Sequence, residues 1–191
     1  MPAIENISRQ ELAEHLCSLD TEARRWRFGY SSNDESVEKY ALSIPESDFI
    51  LGIRESVTSD KIVAAVHLAI DTNNECAELG ISTLIEARRS GLAERLLRYT
   101  VDMLRNRGIR QMYSVCLPDN VPLLRLIQKL NITSITSADG DKQARISIPM
   151  AGIDSFYGEM QNQRMVIIDK SMKPWATMWQ NILRVNTKET K

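Results

Sequence analysis

The sequence is poor in the residues that build metal centres and disulfide frameworks. It has three cysteines, Cys17, Cys76 and Cys116, none in C-x-x-C spacing, and two histidines, His15 and His67. An odd, scattered cysteine count gives neither a disulfide framework nor a zinc-ligand pattern, and no metal is expected. Charge of one sign is also lacking: the formal net charge is −1. Such balance argues against nucleic acid or an anionic membrane as the main partner. No apolar run is long enough to span a bilayer, and no basic start leads into a short apolar core. A reducing cytoplasm is the expected setting. Two standard phosphate loops are missing as well, since neither G-x-x-x-x-G-K-[ST] nor G-x-G-x-x-G occurs. What remains is ordinary for a globular protein with a real core: 191 residues, 43% hydrophobic and 26% charged. The length fits one domain with room for an added segment.

The pattern along the chain is helical first and β-rich afterwards. Ser8 with Glu11 resembles a capping box, and Leu12, Leu16 and Leu19 form a helical stripe. Trp26, Phe28 and Tyr30 alternate within a charged stretch. Asp34 is placed to cap a helix through Val37, Tyr40, Ala41 and Ile44, which Pro45 stops. Three strands are predicted over Asp48–Glu55, Lys61–Ile70 and Cys76–Ile85, an antiparallel meander with turn residues between them. A helix from about Gly91 to Arg107 follows, ended by Gly108, and then a strand over Ile109–Leu117. Asp119 or Asn120 caps a helix carrying Val121, Leu124, Ile127 and Leu130. A hairpin is predicted from Ile132–Ser137 and Ala144–Met150. The last forty residues read as two helices interrupted near Lys173-Pro174, with Trp175 and Trp179 one turn apart on one face. That pair is expected to pack on the core of the chain or on a second copy.

The most informative stretch is Arg88-Arg89-Ser90-Gly91-Leu92-Ala93, which joins a strand-like run to a helix-like one. A strand, a short glycine-bearing turn and a helix start point several free N–H groups one way, with the positive end of the helix dipole behind them. Gly91 lets the backbone approach a ligand closely, and a diphosphate is the ligand such a turn favours. A plain strand-to-helix connection remains the alternative on these residues alone.

The order of elements, with Ala77-Glu78-Leu79-Gly80-Ile81 before the R-x-x-G-x-A turn and Asn120 opening a helix after the next strand, resembles the GNAT N-acetyltransferase superfamily. The resemblance covers roughly residues 48 to 150. It implies an α/β fold with a mixed, mostly antiparallel central sheet flanked by helices and splayed between its fourth and fifth strands. Residues 1–150 would form this domain and residues 151–191 a C-terminal helical extension.

The resemblance also implies acetyl transfer from acetyl-CoA to an amine acceptor. Backbone N–H groups of Arg89, Ser90, Gly91, Leu92 and Ala93 would hold the pyrophosphate, with Arg88 and Glu94 at its edge and Asn120 near the coenzyme. Amides near Ser82, Thr83 and Leu84 would pair with the pantetheine arm and polarise the thioester carbonyl. Glu78 is the candidate base for the attacking amine, with His67 as a second choice. Asp34, Glu35 and Glu38 could draw a cationic acceptor. Ile127 stands where many members carry a proton-donating Tyr, so either Tyr113, Cys116 or water serves as acid or acid catalysis is unimportant. The competing implication is an acyl-CoA-binding or protein-interaction module without catalysis. A homodimer is a further possibility.

Overall fold

The structure is a computed structural model that describes residues 2–71, 73, 75–129, 133–138 and 141–186; it describes no side chains within 130–143 or 179–186. Leu130, Asn131, Ile132 and the turn at Asp139-Gly140 therefore lie outside the described residues, as does the side chain of Trp179.

Seven strands form one sheet in the order β1-β2-β3-β4-β5-β7-β6. They are β1 (Ile4–Asn6), β2 (Phe49–Arg54), β3 (Ile62–Asp71), β4 (Cys76–Thr83), β5 (Gln111–Cys116), β6 (Thr133–Ala138) and β7 (Asp141–Ser147). Every neighbouring pair is antiparallel except β4 and β5, which run parallel. The predicted meander is present, and β1 extends it at one edge by pairing Ile4 with Ile53. A strand of three residues is too short to leave a periodic signal, so the sequence does not announce it. The second strand of the hairpin is Asp141–Ser147, starting three residues before the predicted run.

Two apolar cores lie on the two faces of the sheet. On one, Leu96, Leu97 and Leu104 of α4 (Leu92–Asn106) pack on Leu51, Val66, Leu68 and Leu79. Ile127 of α5 (Val121–Gln128) joins this core, fully buried. On the other face, Leu12 and Leu16 of α1 (Arg9–Cys17) meet Val37 and Ala41 of α3 (Asp34–Ser43) over Ile50, Val63 and Ala65. The Ser8–Glu11 capping box forms as predicted. Asn33 rather than Asp34 caps α3, its side chain accepting from the N–H of Ser36 at 2.9 Å. Asp34 instead begins the helix and pairs with Arg24 at 2.6 Å.

Two segments differ from the pattern read in sequence. The alternating aromatic stretch is a helix, α2 (Thr21–Phe28). Asp20 caps its start and Gly29, at φ +80, ends it, so local cap chemistry sets its bounds. The C-terminal segment is one helix, α6 (Ile153–Asn186), with Pro174 inside it. A proline removes one helical hydrogen bond and crowds the preceding turn, which need not end a helix. Trp175 is 62% exposed and does not pack on the core. The Asn162 side chain of α6 accepts from the N–H of Ile4 at 3.0 Å and donates to its carbonyl at 2.6 Å. The helix thus covers the edge of β1, which would otherwise stand open for pairing.

His15 holds α1 to the sheet. It is 2% exposed, with Nδ1 at 2.9 Å from the Ile62 carbonyl and Nε2 at 2.9 Å from the Ser82 hydroxyl. A carbonyl only accepts, so Nδ1 carries the proton and Ser82 donates to Nε2. Burial pushes the pKa of His15 from 6.5 to about 4. The unfolded chain therefore binds the extra proton first, and stability is lost as pH falls from 6.5 towards 4. The full loss is about 3–4 kcal/mol at 1.4 kcal/mol per pKa unit. Denaturant melts across this window should show a falling midpoint, and His15→Gln should remove that part of the slope. The same slope in both proteins would clear His15 of the effect.

Candidate functional site

The site begins where two strands part. β4 and β5 pair through only three positions, Cys76 with Gln111, Ala77 with Met112 and Glu78 with Tyr113. Beyond them the ladder stops, although β4 continues to Thr83 and β5 to Cys116. The first carbonyl past the split, that of Leu79, accepts a hydrogen bond from the buried Ser114 hydroxyl at 3.0 Å. Strand alternation fixes which later groups face the gap. The N–H of Leu84 donates across to Val63 at 2.9 Å, and Ser82, opposite Ala65, shares its orientation. The Ser82 hydroxyl is engaged by His15. The amides that turn towards β5 are therefore those of Ile81 and Thr83.

A turn of 3₁₀ helix over Ile85–Ala87 leads from β4 into the loop. Arg89 has φ +60 and Gly91 φ +83, both in the left-handed region. Gly91 is also the residue before α4 and provides no side-chain cap. Among the described residues, no acceptor meets the backbone N–H groups of Arg89 through Glu94, and the first helical bond is that from Arg95 to Gly91, at 3.0 Å. Left-handed residues alternating with an ordinary one ahead of a helix start make a concave cluster of N–H groups that suits an anion. Arg88 does not reach into this cluster, because it pairs with Asp20. Glu94 is held by Lys129 at 2.6 Å and Arg98 at 3.1 Å, and these keep its carboxyl below the usual range.

Across the split from this loop lies Asn120, 6% exposed. Its side-chain oxygen accepts from the N–H of Leu123 at 3.2 Å and so opens α5. The helix then turns Ile127 into the core, fully buried, so the position neither offers a proton nor faces the gap.

Helix α2 spans the divergence. Its first turn is tied to the loop after β4 by Asp20 and Arg88, and its last turn to the loop after β5 by Arg25 and Asp119. Between these ties Arg27 lies flat on Gly80, where a Cβ would collide with its guanidinium. Glu78 is exposed on the same face, with the Tyr113 hydroxyl 3.5 Å from it. Partial burial, and then the Glu78 carboxylate, push the Tyr113 phenol up, so it holds its proton at neutral pH.

His67, the second candidate base, is engaged on both ring nitrogens. Its Nε2 is 3.0 Å from Asp48 and its Nδ1 2.8 Å from the Tyr40 hydroxyl. Burial holds it below the ordinary imidazole value and keeps the ring neutral. Glu35 and Glu38 are exposed on α3, and Cys116 is buried. No individual role for Arg27, Tyr40 or Asp48 is legible in the sequence pattern. The signal that points to them is Gly80, since a glycine inside a strand marks a close approach by another group. Among the described residues there is no cluster of metal-ligating side chains, and no helix is long and apolar enough to cross a membrane.

Residues 13–132, more than half of the chain, match the family model described as acetyltransferase (GNAT) family. No curated protein sequence matches. Among solved structures, the GNAT domain of PAT from S. lividans is similar at TM-score 0.63 and 15% identity, over 75% of this chain and 89% of that one. The ribosomal-protein-S18-alanine N-acetyltransferase from Escherichia coli is similar at 0.59 and 20%, over 81% and 98%. An N-acetyltransferase from Staphylococcus aureus Mu50 is similar at 0.58 and 13%, over 76% and 98%. The split sheet, the loop that follows β4 and the matched family model agree, and the chain belongs to the GNAT acetyltransferase family.

Proposed function

We propose that the protein transfers the acetyl group of acetyl-CoA to a primary amine. The observation that carries this reading is the run of N–H groups from Arg89 to Glu94, unpartnered among the described residues, beside the split between β4 and β5. The loop and the start of α4 receive the diphosphate, which needs no metal because the helix terminus supplies the field. The acyl arm lies in the gap, against the amides of Ile81 and Thr83. Asn120, whose side-chain oxygen is spent on the cap, offers its amide N–H from the other wall.

The acceptor approaches on the face that carries Glu78. Its ammonium loses a proton to Glu78, directly or through a water. The neutral nitrogen then bonds to the thioester carbon, and backbone N–H groups in the gap stabilise the oxyanion. The carbon–sulfur bond breaks, the thiolate takes the phenolic proton of Tyr113, and the second proton of the attacking nitrogen, lost as the amide forms, restores the phenol. A thiolate leaves readily, since thiols of this type have a pKa near 8.5, so the acid is the lesser contributor.

One observation favours a second reading, a module that binds acyl-CoA and a protein partner without turnover. Helix α6 exposes Phe156, Ile167, Ile168, Met172 and Trp175, large apolar side chains that a partner would cover. The same surface would serve a homodimer. CoA release with a broad amine panel separates the readings: turnover supports the enzyme, and acetyl-CoA binding without any turnover supports the module.

Two variants test the assignments. Gly91→Glu places bulk and negative charge in the cluster, at a φ of +83 that side chains rarely adopt. It should abolish acetyl-CoA binding by calorimetry, and unchanged affinity would remove this loop from the reading. Glu78→Gln should slow turnover by about a hundredfold at neutral pH, with acetyl-CoA affinity intact. Normal turnover across the pH range would acquit Glu78 as base.

A further inference from the structure

The face that carries Glu78 holds a cation that the fold does not neutralise. Arg27 lies half-buried over Gly80, and among the described residues it has no carboxylate within ion-pairing distance. Its one hydrogen bond among the described residues runs from Nη2 to the Tyr40 hydroxyl, at 2.8 Å. Its Nε and Nη1 have no hydrogen-bond partner among the described residues and are not sealed from solvent. A guanidinium carries more donors than this bond uses, arranged in a planar fork that fits a carboxylate.

The surroundings hold this group still. The Arg27 guanidinium stands 5.3 Å from the Phe28 ring and 5.4 Å from the Tyr40 ring. The two rings meet edge to face at 5.3 Å. The chain of hydrogen bonds behind Tyr40 has one consistent direction. Asp48 accepts from Nε2–H of His67, so Nδ1 is the acceptor and the Tyr40 hydroxyl donates to it. The Tyr40 oxygen is thereby left to accept from Arg27. Phe28, Tyr40 and His67 thus orient the cation without an ion pair, and Asp48 bonds to His67 rather than to Arg27.

We infer that Arg27 binds the carboxylate of the acceptor, which makes the acceptor an α-amino acid or an amine of the same reach. Glu78 and Gly80 are two residues apart on one face, about 7 Å along the strand. Glu78 has no ion-pair partner among the described residues. An anion and a cation stand side by side, each short of a partner, where the strands part. An amine and a carboxylate on neighbouring carbons would satisfy both, each with hydrogen bonds of about 3 Å. A polyamine or a simple amine leaves the Arg27 fork unfilled. The amine end rests on the acetyl-transfer reading, whereas the carboxylate end rests on Arg27 alone.

The test is a binding panel on the CoA-loaded protein by calorimetry: the common α-amino acids, the carboxamide of each and the decarboxylated amine of each. At least one acid should bind, and its carboxamide should bind on the order of tenfold more weakly or worse, the cost of losing a charged hydrogen-bonded pair. Arg27→Gln should erase the preference of acid over amide and leave acetyl-CoA affinity unchanged. Equal binding of acid and amide by the native protein would overturn the inference without any variant. So would absence of binding by every acid, or an acid preference that survives Arg27→Gln. CoA release with the same panel distinguishes the two readings. Acids that bind through Arg27 but are never acetylated sink acetyl transfer and keep the carboxylate site. Acetylation of carboxylate-free amines, with acids neither bound nor acetylated, sinks the carboxylate site and keeps acetyl transfer.

Discussion

Everything in the candidate site depends on a ladder that is broken on purpose. Parallel strands inside an α/β sheet are ordinarily paired along their length, because buried N–H and C=O groups cost free energy when left alone. Here β4 and β5 share three paired positions and then separate. One stranded carbonyl, that of Leu79, receives the Ser114 hydroxyl. The later amides are left facing the gap, and that is where a ligand with its own donors and acceptors fits. Helix α2 crosses the divergence and is pinned to both sides of it, to the β4 loop by Asp20 with Arg88 and to the β5 loop by Arg25 with Asp119. These pairs, both in reach of solvent, contribute modestly to stability. Their effect is positional: they fix what α2 lays over the split.

The parts legible in sequence are those whose chemistry is local. Gly91 at φ +83 and the stripe of Leu96, Leu97, Val101 and Leu104 define the loop and the helix within one short window. The Asn120 cap and the meander are legible for the same reason, since turn and cap residues act on their immediate neighbours. What escaped is what arises between distant segments. Strand β1 exists because Ile4 finds Ile53 and because Asn162 of α6 closes its edge. The Arg27 cluster needs α2, α3, β3 and β4 in register at once, and nothing in the spacing of Arg27, Tyr40, Asp48 and His67 announces that they meet. Gly80 was the one local trace, a strand position without a side chain that makes room for a group from elsewhere.

Charge is balanced in total and uneven in place. Arg54 is enclosed by Glu5 at 2.5 Å and Glu11 at 2.7 Å, and Arg105 by Asp102 at 3.2 Å and Asp154 at 2.9 Å. These pairs join the ends of elements and use up the charges they involve. Arg27 and Glu78 are treated differently: they lie on one face of β4, each without an ionic partner among the described residues. A protein that leaves two opposite charges near each other and pairs neither keeps an electrostatic demand in reserve for a ligand. Phe28 and Tyr40, half-buried around the cation, strengthen that demand, since fewer waters compete with the ligand for it.

Ile127 narrows how a proton could reach the leaving group. Its side chain is wholly inside the core, so α5 contributes packing at this point and the acid must come from another element. Tyr113 is the phenol in register with Glu78, at the last paired position before the strands part. The two side chains are 3.5 Å apart, and the carboxylate raises the phenol pKa as burial does. An ionised Glu78 therefore keeps Tyr113 protonated, and a Glu78 that has accepted the proton of the amine relaxes that hold. Under the acetyl-transfer reading the base, once loaded, makes the acid more willing to give. The order of steps this imposes, amine deprotonation before thiolate protonation, is the order the chemistry requires.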